Sequence, residues 1–138
     1  MKRINHLILV TLILAGLLLS ACGPKESGPE KIVPSQLEPI DGTDLSRVIL
    51  TEKAAERIGI ETVTASGTSV PYAAVIYDTE GHTWIYTNPE PLTFVREPIV
   101  IDHIEGDTAV LAESLASEFN VVTVGVAELY GTETGVSK

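Results

Sequence analysis

An apolar run that stops too soon sets the limits on this chain. Residues 7–19 are thirteen positions interrupted only by Thr11 and Gly16, preceded by Lys2 and Arg3 and closing on Leu19-Ser-Ala-Cys22. A helix needs about 20 apolar residues to cross a hydrocarbon core, so this run is too short to span one. It has the length and flanks of the apolar centre of a signal peptide. Cys22 is also the only cysteine, so no intramolecular disulfide can form and whatever folds downstream must be held by packing. Roughly 95 residues have a composition that can fold, enough for one modest core.

The Leu-Ser-Ala-Cys close resembles the bacterial lipobox, in which small residues let a peptidase accept an extended chain and the cysteine thiolate takes the lipid. The resemblance implies a signal peptide over 1–21, lipidation of Cys22, and a chain held through membrane lipid on the extracytoplasmic side of the cell envelope. Several acyl chains make such an anchor effectively permanent, where one alone attaches marginally. Gly23 stands where an inner-membrane retention aspartate is common in such lipoproteins, which leans toward the outer membrane.

Lys2 and Arg3 leave with the leader, so seven basic side chains remain against nineteen acidic ones, a formal net charge of −12. Such a chain is repelled by phosphate backbones, so nucleic acid is excluded as a partner. Pro24, Pro29, Pro34 and Pro39 lie in a stretch rich in Gly, Ser, Glu and Lys. That composition buries too little apolar surface to offset its ordering entropy, and it predicts a flexible tether over 22–45.

A β domain is expected over 46–131, with a loose tail over 132–138. Residues 48–50 read as a strand. Thr51 is placed to cap a helix over 53–58, and Gly59 to end it in the left-handed conformation. Residues 60–65, 70–77, 83–87, 93–96, 99–104, 108–111 and 121–124 read as strands, with 70–77 buried on both faces. Gly81 closes a hairpin turn over 78–81, residues 88–91 form a loop, and Pro98 breaks a strand. Residues 112–119 read as a short helix or an irregular turn. Short strands at this spacing point to a small β-barrel or sandwich with one short helix near its start.

Three stretches resemble, in order, the membrane-proximal domain of the periplasmic adaptor (membrane-fusion) proteins of RND efflux pumps. They are Arg47-Val-Ile-Leu-Thr-Glu-Lys-Ala-Ala-Glu-Arg-Ile-Gly-Ile-Glu-Thr62; Val70-Pro-Tyr-Ala-Ala-Val-Ile-Tyr-Asp78 with Gly81-His-Thr-Trp-Ile-Tyr86; and Phe94-Val-Arg-Glu-Pro-Ile-Val-Ile101 with Glu105-Gly-Asp107 and Val121-Val-Thr-Val-Gly125, followed by Ala127-Glu-Leu129. A full adaptor inserts lipoyl, helical-hairpin and barrel domains where this chain has only residues 66–69. The family's Gly-Asp turn is replaced by Ser117-Glu-Phe-Asn120. The resemblance implies a lipid-anchored accessory module near an RND transporter, without the adaptor's role in completing an efflux conduit.

Chemistry-bearing residues are sparse. Ser46, Ser66 and Ser114 lie in no nucleophile motif and no Gly-rich phosphate loop is present, so neither an enzyme nor a cofactor is expected. Asp102, His103, Glu105 and Asp107 concentrate carboxylates and an imidazole, with His82 in another turn. They are candidate ligands for a divalent cation, although they lack the count and spacing of a calcium loop. Trp84, Tyr86 and Phe94 are expected in the core rather than on a binding patch. The alternatives to a transporter module are a lipoprotein binding a metal or small ligand at 102–107, and a non-functional remnant of a shortened adaptor.

Overall fold

The computed structural model describes residues 33–135, in which ten strands, two helices and a 3-10 turn alternate. They are β1 (Ser35–Pro39), β2 (Ser46–Leu50), α1 (Glu52–Ile58), β3 (Glu61–Ala65), β4 (Ser69–Pro71), the 3-10 turn Tyr72–Ala74, β5 (Ile76–Tyr77), β6 (Thr83–Glu90), β7 (Thr93–Ile99), β8 (Ile101–Glu105), β9 (Thr108–Leu111), β10 (Phe119–Val124) and α2 (Val126–Thr134). The signal peptide, Cys22 and the first part of the expected tether lie outside these residues.

Two sheets form. The larger runs β1-β2-β7-β6-β10-β3, with β5 on β6, and the smaller runs β4-β9-β8. The larger path ends at β1 and β3, which do not pair, so both sheets are open. Of the expected barrel or sandwich, no closed barrel forms among the described residues; the fold is mainly β, with open sheets.

The period-two alternation of strand side chains builds two cores on opposite faces of the main sheet. Ile85 and Val121 join Val70, Ala74, Ala109 and Leu111 on the face toward the small sheet. Tyr86 and Val122, their immediate neighbours, join Val48, Leu50, Ala54, Phe94 and Leu129 on the face toward the helices. Each large apolar side chain sealed this way contributes about 1.5–3 kcal/mol of transfer free energy. Tyr86 and Phe94 are buried, as their residue types led one to expect, whereas Trp84, also expected in the core, is only partly buried and belongs to neither core.

The local punctuation is physical. Thr51 Oγ1 accepts from Ala54 N–H at 3.2 Å, and Gly59 ends α1 at φ +73°. Gly125 links β10 to α2 at φ +89°. A Cβ there would press into Ile60 Cδ1 and lie 2.7 Å from Ile58 Cγ2, so the left-handed turn and the close approach both require glycine.

Five further expectations change. Within the expected tether 22–45, Ser35–Pro39 is not free chain but pairs along the whole of Ser46–Leu50. The segment 70–77 is a short strand, a 3-10 turn and a second short strand rather than one buried strand. Strand β6 runs on to Glu90 through a bulge after Thr87, so most of the expected loop is strand. The tail's first residues, 132–134, belong to α2, which the sequence reading missed altogether. Pro98 does not break β7 either. Strand β2 pairs with β7 only at Thr93 and Phe94, so the far side of β7 around Pro98 needs no donor. Residues 112–118 take the irregular alternative.

Candidate functional site

The expected acidic turn does not gather ligands. His103 Nδ1 lies 2.8 Å from Asp102 Oδ2, and both side chains are exposed. Neither Glu105 nor Asp107 joins them, and His82 sits in the β5–β6 hairpin instead. Among the described residues the one group of three potential ligands is Asp78, Glu80 and His82, whose ligand atoms lie within 4.8 Å of one another.

Asp78 there serves its own hairpin. Its Oδ1 accepts from the backbone N–H of Glu80 and of His82, each at 2.9 Å, while Oδ2 accepts from Trp84 Nε1 at 2.9 Å and faces His82 Nδ1 at 3.2 Å. The Trp84 bond, followed by the two backbone bonds, stabilises the carboxylate and lowers its pKa to about 2. Its lone pairs are engaged in bracing the turn.

A second charged centre fixes α2 to the sheet. The Glu133 side chain, 4% exposed, accepts from the Tyr86 hydroxyl through Oε2 and from Ser46 N–H through Oε1 at 3.3 Å. Arg96 Nη2 donates to Oε1 at 3.4 Å. Arg96 Nε, shielded from water, stands 3.2 Å from Oε2 without hydrogen-bond alignment, so charge rather than a directed bond satisfies it. The guanidinium lies 4.4 Å from the Trp84 ring centroid and 5.5 Å from that of Tyr130. Burial, reinforced by the bond to Glu133, holds the Tyr86 hydroxyl far above its ordinary range. This centre is a structural lock, closed on all sides by its own partners.

Two of the open surfaces among the described residues are the broadest candidates. The first is an apolar cleft of about 760 Å³ between the β5–β6 hairpin and the β7–β8 junction, lined by Tyr77, Trp84, Pro98, Val100 and Ile101 among others. Tyr77 is 52% and Val100 63% exposed. The Tyr77 hydroxyl bonds with Tyr72, which together with desolvation raises its pKa above the usual phenol value.

The second is a groove of about 600 Å³ on the main sheet. Ile49, Val95 and Phe119 supply its apolar lining, with Glu38, Glu90, Glu97 and Arg47 around them. Burial raises the Glu97 carboxyl above its ordinary pKa. Sequence reading missed both surfaces, because each is assembled from residues far apart in the chain. The serines weighed as nucleophiles do not converge. Ser46 uses its backbone on Glu133, Ser66 forms an isolated bridge with Ser69, and Ser114 lines a small cleft near Leu115.

No helix of the described residues is long and apolar enough to cross a membrane. Comparison with protein-family models, with curated proteins and with solved structures finds no match for the chain.

Proposed function

We propose that this chain is a lipid-anchored interaction module on the extracytoplasmic side of a membrane, docking on an envelope protein, with an RND-type efflux transporter as the partner. The anchor rests on the leader and Cys22, and the partner on the ordered resemblance to adaptor membrane-proximal domains. The observation that carries the docking role is the apolar cleft at Tyr77 and Val100, large hydrophobic side chains left in water beside a hairpin that Asp78 and Trp84 brace. Exposed apolar surface of this kind marks interaction sites in soluble domains. A pre-braced hairpin loses little entropy on docking.

Crosslinking in intact envelopes followed by co-purification tests the reading. Recovery of a transporter subunit with the wild-type chain, lost in Val100→Asp while the variant still folds, supports it. Recovery of no transporter component, or equal recovery with Val100→Asp, sinks it. The anchor is tested apart from the partner. Cys22→Ala should be released or stay uncleaved, and a correctly cleaved variant that remained membrane-bound would refute lipidation.

A further inference from the structure

The small sheet covers only part of the main sheet's face. Ile85, Ile99 and Val121 are sealed beneath it, whereas Ile49 and Val95 on the same face are left half-buried in the groove. Glu97 stands at the border, between Val95 and Ile99 on that face and opposite Ile85 in the ladder. Its side chain makes no hydrogen bond and no ion pair among the described residues. A half-buried, unpaired carboxylate costs stability, and nothing in the fold offsets that cost. Glu38 and Glu90 add two further negative charges to the lining against Arg47 alone.

We propose that this groove binds an organic cation with an apolar body, the charge set against Glu97 and the body lying on Ile49, Val95 and Phe119. The volume falls in the range of small-molecule sites, about 300–1,000 Å³. Anions are repelled by the three carboxylates, and a neutral apolar molecule leaves Glu97 uncompensated. A bare metal ion leaves the apolar lining unused. The proposal goes beyond the docking reading, since the groove and the Tyr77–Val100 cleft share no lining residue.

The test is titration of the full, lipid-anchored, nitrogen-15-labelled chain in phosphatidylcholine nanodiscs with benzyltrimethylammonium, followed by amide chemical shifts. Saturable shifts are expected at Ile49, Val95 and Glu97, with Tyr77 and Val100 unmoved. Glu97→Gln keeps the shape of the side chain and should weaken binding about tenfold. Benzenesulfonate, the same ring with the opposite charge, should bind nowhere in the groove. Unsaturable shifts, equal affinity in a folded Glu97→Gln, or binding of benzenesulfonate would each overturn the proposal. So would a groove that answers only to a Lys-bearing peptide and not to the small cation, which would make it a protein-docking surface. Loss of the transporter contact leaves this titration unaffected, so the two readings fail separately.

Discussion

Arg96 and Glu97 are consecutive residues of one strand and carry opposite charges to opposite faces of the same sheet. Arg96 enters a closed set of partners, with Glu133 for charge and Trp84 and Tyr130 for its planar face. Glu97 enters a groove where none of the described residues pairs with it. Both are partly withdrawn from water, so both incur desolvation, and only one recovers it within the fold. A charge with partners on every side reports on assembly of the domain, and a charge without them on what the domain can receive.

Breaking the closed side should have the largest effect. Arg96→Ala strands the Glu133 carboxylate and removes two ring contacts, so thermal unfolding should show a loss of about 3–5 kcal/mol. A loss under about 1 kcal/mol would mean that α2 is held by the packing of Val126, Leu129 and Tyr130 and that the lock is incidental. Tyr86→Phe removes one donor to Glu133 but keeps the ring, and should cost about 1–3 kcal/mol in the same measurement. On the open side the sign reverses. Glu97→Gln removes an unpaired charge and should stabilise the domain at neutral pH by about 0.5 kcal/mol.

Acid titration of stability sharpens the contrast further. Glu97 has its folded pKa raised by burial, so it protonates more readily in the folded state than in the unfolded chain. Its unfavourable contribution is therefore absent below the ordinary value of 4.5 and grows as pH rises through the folded value. The stability gap between Glu97→Gln and wild type should open over that window in denaturant titrations at stepped pH. Asp78 behaves the other way. Its contribution is complete above its ordinary 3.8 and is lost as pH falls toward about 2. Asp78→Asn should remove that acid-side slope and leave the Glu97 window untouched.

Local signals were legible in the sequence, and distant ones were not. Thr51 and Gly59 bounded α1 because capping acts within one turn of chain. Gly81, at φ +89°, ends its hairpin for the same reason. Trp84 and Tyr86 share a face as strand periodicity requires. Helix α2 was hidden because Gly131, Thr132 and Thr134 are poor helix formers and its N-cap, Gly125, offers no side chain. It is packing of Leu129 and pairing of Glu133 with Arg96 that make those residues helical, and neither is a local property. Strand β1 was hidden by the prolines around it, since pairing with β2 overrides a composition that favours an open chain. Whether a sheet closes depends on strands β1 and β3 meeting, which no pattern within either strand records. The groove follows from the partial cover that the small sheet gives the main sheet's face, and it was invisible because that cover too is set by residues far apart in the chain.

Strand β1 also has a mechanical consequence. Most of its side chains are exposed, and it is held to the sheet by a ladder with β2 and by the Thr51 N–H to Pro34 carbonyl bond of 3.0 Å. Tension applied at Val33, the end nearest Cys22, meets that ladder before it meets either core. Peeling residues 35–45 frees eleven residues, roughly 35 Å of extended chain, while Val48, Leu50 and the rest of the packing stay shut. A pull on that end is therefore taken up first by the β1–β2 hairpin, ahead of the packed residues.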